Sequence, residues 1–450
     1  MLRALPLLLI LAASAAGGQT PASPTPPAEP SAPAPPEGVV VELSGGQTRL
    51  LRLALPAFQR DDSLTGAARD AGDEIESTLR SDLVATEVFE IKGPAELSAA
   101  TLTGDLAQDL LQVQSLGNDF LLSSKLLRES DRVVLEATLY DLAAGKAIFG
   151  KRYRAGFERA RDVAHTLADE ILNFLTGRPG IARTSLAFSS DRDQVGRKEI
   201  YLMDYDGLNA RRLTAHRSTS MSPAWSRDGA WIAYTSFLGG TPALYLAEVA
   251  SGRKSPLITQ GRLNISPTFS PDGSRVAFAR SLDGNIEIFT ADRSGAGLRQ
   301  LTSSAAIDTN PAWSPTGNEI AFTSSRAGSP QIYVMDPEGT NLRRISYDGD
   351  YNDNAAWSPD GTKIAYSSRR NGRFQIAVTD VITLETRVIT SGSASSEDPT
   401  YSPDGRWIAF ARKEGQRSQV WILKAETGEG ARALTNQGNN DSPSWSPYPP

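Results

Sequence analysis

The 450-residue sequence contains no cysteine. That absence excludes a disulfide framework, thiolate zinc sites, a cysteine nucleophile and a lipid-modified N-terminal cysteine. Histidine is scarce as well, with only His165 and His216. No H-E-x-x-H, G-x-S-x-G or P-loop pattern occurs, so the familiar hydrolase and nucleotide-binding signatures are missing. Acidic residues are many, yet nothing marks one carboxylate pair as a glycosidase would need. Basic charge is not in excess: 46 Lys and Arg stand against 52 Asp and Glu, which argues against a nucleic-acid surface. The apolar run near the start, LPLLLILAA, is too short for the roughly 20 residues that span a bilayer.

What is present begins with an export signature. MLR gives a positive start, the apolar run a core, and Ala13-Ser14-Ala15 an A-x-A cleavage site, so residues 1–15 read as a signal peptide. Residues 20–38 are dominated by Pro, Ala, Ser and Glu and read as a solvated polyproline-like tether. Residues 39–178 read as a small α/β domain. VVVEL, LLRLALPAF, FLLSSKLL, RVVLEATLYD and AIFGKRYRA are its strands. Helices are expected around Gly72 to Leu83, with Ile75, Leu79 and Leu83 on one face, and from Arg161 to Leu175, stopped by Gly177 and Pro179.

After Ile181 the pattern changes to an internal repeat. Aromatic-Ser pairs begin at Trp225, Phe269, Trp313, Trp357, Tyr401 and Trp445, each 44 residues after the last. Between them recur an aliphatic-Ala-aromatic triplet, a hydrophobic run such as EIYLMD or QIYVMD, and a segment such as RRLT or RRIS. Four short strands per period predict one antiparallel sheet per repeat, and six repeats predict a six-bladed β-propeller over residues 182–448. The first triplet, Leu186-Ala187-Phe188, has no aromatic-Ser strand before it, and Trp445 has no triplet after it. The C-terminal strand is therefore expected to complete the first blade and close the ring, which removes an exposed edge.

The S-P-D-G turns that follow the aromatic residues carry structural rather than catalytic chemistry, since Pro, Asp and Gly are what such a turn requires. His165 is expected as a partly packed side chain of its helix, and His216 as a lone loop histidine. The connectors between blades are more informative, because all deliver the chain to one face around the central channel. There Asp308, Asp353, Glu397, Asp398 and Asp441 gather with Asn264, Asn310, Asn352, Asn354 and Asn440. Solvated loop composition with Asx turns would produce such a set. A polar, acidic rim for a partner with basic groups, or for a cation in the channel mouth, is the functional reading.

The stretches AHTLADEILNFLTGRPG, IAFTSSRAGSPQIYVMD, AIDTNPAWSP and the terminal WSPY resemble the TolB family of the periplasmic Tol-Pal cell-envelope system. The resemblance implies an α/β N-terminal domain plus an all-β six-bladed propeller, in a non-enzymatic periplasmic adaptor that supports envelope integrity and cell division. It implies that the connector face binds a Pal-like peptidoglycan-associated lipoprotein, with Leu263, Asn264, Ser266, Thr309 and Asn310 at the contact. Leu263 departs from the polar residue common in relatives. The resemblance also allows a calcium ion in the channel, which the sequence does not require. Family members meet a TolA-like inner-membrane protein through a segment after the signal peptide, and here the proline-rich tether occupies that place without a match. The competing readings are a propeller enzyme and a glycan-binding module, each acting on envelope polymers.

Overall fold

The computed structural model describes residues 49–98, 105–282 and 284–449. The signal peptide, the tether and the VVVEL strand read from the sequence lie outside the described residues, as does the segment expected for a TolA-like partner.

The N-terminal domain begins with β1 (Leu51–Ala54) and β2 (Gln59–Arg60), followed by α1 (Ala67–Ala85), β3 (Phe89–Lys92) and α2 (Leu106–Ser115). Then come β4 (Phe120–Glu129), β5 (Arg132–Asp141), β6 (Lys146–Gly156) and α3 (Ala160–Thr176). The sheet is mixed, in the order β3-β1-β4-β5-β6 with β2 beside β4. The β1 pairings are parallel and the β4–β5–β6 pairings antiparallel. The apolar stripes of α1 and α3 are fully buried at Ile75, Leu79, Leu83, Leu167 and Ile171. Gly177 ends α3 in the left-handed conformation at φ 69°, and its N–H donates to the Asn173 carbonyl at 2.8 Å. Helix α1 runs longer at both ends than the sequence pattern predicts.

Six four-stranded antiparallel sheets follow as propeller blades. Their innermost strands are Asn440–Trp445, Ser220–Trp225, Leu263–Phe269, Asp308–Trp313, Tyr351–Trp357 and Ser395–Tyr401. The first of these pairs with Ser185–Ser190, so the two ends of the propeller share one sheet, as the broken repeat predicts. Trp445 Nε1 donates to Thr184 Oγ1 at 2.9 Å, and Ser446 N donates to the Ser185 carbonyl at 2.8 Å.

The triplet alanines explain how the blades stack. Ala187, Ala233, Ala277, Ala321, Ala365 and Ala409 are completely buried. Each joins the apolar cluster of the next blade: Ala321 packs with Ile364 and Tyr366, and Ala409 with Leu186 and Phe188. In the turns, Asp272 accepts from Ser270 Oγ and the Ser274 N–H, at 2.5 and 3.1 Å, which is the local role its turn type assigns. Where both are present, as at Pro271 and Gly317, the turn proline of one blade faces the turn glycine of the next. Pro447 of the terminal strand fills that position against Gly229, 3.8 Å from where a Cβ would sit.

Candidate functional site

In every blade the start of the inner strand pairs with the end of the second strand, as Ser220 does with Ser236. The connector entering each blade therefore lies on the same face as the hairpin between its second and third strands. Each inner strand then bulges, and the bulge holds a non-glycine residue at positive φ: Ser222, Ser266, Asn310, Asn354, Asp398 and Ser442, all between 48° and 56°. Short polar side chains tolerate this region best because they bond locally. These six residues, with the residue following each, ring a cavity of about 300 Å³ at the channel.

Hydrogen bonds run around that ring. Ser266 Oγ donates to Asn310 Oδ1 at 2.6 Å, and Asn310 Nδ2 donates to Asp353 Oδ1 at 2.7 Å. Asp353 also accepts from Thr323 Oγ1 and from the Asn354 N–H. Asn354 Nδ2 donates to Asp398, whose other oxygen accepts from the Ser442 N–H at 3.1 Å. Burial, and then the neighbouring Asp353, push the Asp398 carboxyl above the ordinary carboxylate range. Glu397 is pushed up by burial and by Asp398. It shares a second cavity of about 330 Å³ with Asp191, Lys198 and Asp441, where Lys198 Nζ meets Asp441 Oδ2.

The residues expected at the face thus divide. Leu263, Ser266, Thr309, Asn310, Asp353, Asn354, Glu397, Asp398 and Asp441 retain partial exposure. Asn264 and Asp308 do not reach solvent: both are 0% exposed. Asn264 Nδ2 donates to the Gln260 carbonyl at 3.1 Å, and Asp308 pairs with Arg326 at 2.9 Å. The buried Asn352 and Asn440 brace their connectors in the same way, to the Asp348 and Gln437 carbonyls. Their polarity serves the backbone, because a buried carbonyl must find a donor.

The rim is also less acidic than the connectors alone suggest. The hairpins sharing that face bring exposed Arg197, Arg373, Lys413 and Arg417, and the connector into the third blade brings Arg262. Phe237, Leu238, Leu282, Ile307 and Tyr347 add exposed apolar side chains. The 44-residue period could have placed these hairpins beside the connectors, since each follows its triplet at a fixed offset.

Both histidines are committed elsewhere. His165 is buried between α1, α3 and the first blade, with Nδ1 2.7 Å from Asp82 Oδ2, more fully enclosed than its helix stripe suggests. His216 Nε2 lies 2.7 Å from the Tyr234 hydroxyl and its ring stacks on Tyr234. Among the described residues, no group of three His, Asp or Glu side chains is placed to hold a metal ion. The ring carboxylates nearest the channel, Asp353 and Asp398, already accept protein hydrogen bonds. Among the described residues, no helix is long and apolar enough to cross a membrane.

Comparison with known proteins adds the following. The family described as TolB beta propeller domain matches residues 172–449, and that described as TolB amino-terminal domain matches residues 39–148. The Protein TolB homolog of Chlorobium chlorochromatii is 32% identical over 44% of this chain and 44% of its own length. The Tol-Pal system protein TolB of Desulfosudis oleivorans is 34% identical over 49% of this chain and 50% of its own. The chain therefore spans about half the length of the curated relatives it matches. The crystal structure of TolB from Acinetobacter baumannii superimposes with a TM-score of 0.74 at 27% identity, over 89% of this chain and 97% of that one.

Proposed function

The chain belongs to the TolB family, and from that premise we propose that it is a periplasmic adaptor of a Tol-Pal system. In this reading it supports envelope integrity and cell division by binding a Pal-like peptidoglycan-associated lipoprotein on the connector face. One observation carries the reading: connectors and hairpins from all six blades converge on one side, around a channel mouth ringed by six polar residues at positive φ. Backbone held in a sparsely populated region on a loop-rich face is a mark of a functional surface. A non-enzymatic role is supported by the commitment of both histidines to packing and hydrogen bonds.

The test is calorimetric titration of the chain with the periplasmic domain of a Pal-like lipoprotein from the same organism, repeated with Thr309→Arg. Thr309 is half-buried on the face, so a long cationic side chain there obstructs docking. We expect saturable binding by the unaltered protein and a loss of at least about tenfold in the variant, with circular dichroism unchanged. Absence of binding by the unaltered protein well above micromolar concentration overturns the assignment. Undiminished binding by a folded variant moves the site off this face.

A further inference from the structure

Beneath the connector into the third blade lies a buried cation without a carboxylate partner among the described residues. Arg280 is 7% exposed, and its Nη1 donates to Asn264 Oδ1 at 3.2 Å. Its Nε is buried without a partner. No carboxylate among the described residues lies within ion-pair distance of it. Its cross-strand neighbour Glu287 spends its oxygens on Thr302 Oγ1, Asn285 Nδ2 and the Ser304 N–H. The first blade repeats this pairing, Arg192 Nη2 donating to Asn440 Oδ1 at 3.4 Å, but the next blade is built differently. There Arg326 reaches the corresponding place and finds Asp308, 44 residues after Asn264, as a fully buried carboxylate at 2.9 Å. Burial lowers the affinity of the Arg280 guanidinium for its proton, with no acidic neighbour to offset it.

An unpaired buried charge is costly unless something supplies the opposite one. Gly261 opens the approach: a Cβ there would stand 3.2 Å from Arg280 Nη2. Half-buried Leu263 and exposed Leu282 and Ile307 belong to adjoining segments of the face, and apolar neighbours that exclude water strengthen a charge pair docked among them.

We propose that Arg280 is the receptor for a carboxylate side chain of the protein that docks on the connector face, supplied in trans where the fourth blade supplies Asp308 in cis. This rests on the reading of that face as a docking surface.

The test supplies the carboxylate internally. Asn264→Asp is nearly isosteric and its position is closed to direct contact with a partner, but it also loses the Nδ2 donor to the Gln260 carbonyl. Asn264→Leu, which loses that donor without adding a charge, is therefore the control, and a loss shared equally by both overturns the proposal. Lipoprotein-domain affinity is expected to fall roughly 10- to 100-fold in Asn264→Asp, and also in Arg280→Gln where that variant folds. A second measurement needs no partner: sodium acetate, against sodium chloride at equal ionic strength, should raise the melting temperature of the unaltered protein more than that of Asn264→Asp. If the lipoprotein domain binds and Asn264→Asp binds it equally well, the docking reading stands and the Arg280 proposal falls. If the unaltered protein does not bind the domain, the docking reading falls. The acetate comparison then decides Arg280 alone, and an equal response of both proteins overturns it.

Discussion

His165 sits among three charged side chains, Asp82, Asp204 and Arg161. Burial by itself lowers its proton affinity, but the Asp204 carboxylate 3.7 Å from Nε2 and the Asp82 carboxylate bonded to Nδ1 outweigh that effect and hold the imidazole at a pKa of about 9. The ordinary value is near 6.5. A folded-state pKa raised in this way contributes stability that is fully present below about 6.5 and is lost as pH rises through about 9. The shift corresponds to on the order of 3 kcal/mol. Urea unfolding at pH 7 and pH 10 should show the unaltered protein losing stability over that window. His165→Gln should be less stable at pH 7 and show a weaker pH dependence, and parallel losses in both proteins would contradict this account. The residue's chemistry was only partly legible beforehand. Its helix and its apolar neighbours could be read from the spacing, but Asp82, 83 residues away, could not. Asn264 and Asp308 teach the same point: a polar residue in a loop reads as exposed, and only the packed blade shows that it braces a connector from within.

Elements in the propeller depend on two repeated demands, a tight fit between blades and a closed ring. At Ala321, fully buried against Ile364 and Tyr366, a larger side chain has no void to fill. Ala321→Leu should therefore cost roughly 1–3 kcal/mol by overpacking, read from the urea midpoint. Closure depends on the C-terminal strand. Trp445→Ala removes a side chain that is 6% exposed and its hydrogen bond to Thr184, and should cost about 3–5 kcal/mol. Trp357, 9% exposed and with its Nε1 donating to the Ala312 carbonyl at 3.1 Å, holds the same repeat position in the fifth blade away from the chain ends, so its alanine variant should cost less. If the two variants melt alike, the closing strand has no special weight. Strands, triplets and turns were legible because a pattern repeated six times is hard to mistake. In the N-terminal domain α2 and β3 carry no such signal. Helix α2 buries only Leu110 and Val113 and leaves Leu106 and Leu111 exposed, and β3 has four residues of mixed polarity, so neither carries a clear periodicity.

Across the whole molecule, the N-terminal helices and the closing blade share a single apolar core. Leu167 and Ile171 of α3 belong to the same cluster as Leu186, Tyr201, Met203 and Trp445. Above it lies a polar joint: Arg161 bonds to Asp204 at 3.2 Å, Asp206 at 2.5 Å and Thr78 at 3.1 Å, and the Tyr205 hydroxyl donates to Asp82 at 2.8 Å. Calorimetry should accordingly show one cooperative transition for both domains. Arg161→Met, which leaves Asp206 without its cation and Asp204 with His165 alone, should split it or lower its midpoint; an unchanged single peak would mean that the shared core alone couples the domains. What the sequence determined by itself was the repeat, its blade count, the closing strand and the turn chemistry, because each follows from local spacing and residue type. Only the tertiary structure decided which polar residues face the channel and which brace a connector. The burial of Arg280 without a carboxylate partner among the described residues likewise came from tertiary structure. These depend on neighbours brought together from distant parts of the chain, and burial is a property of the packed molecule, not of the residue.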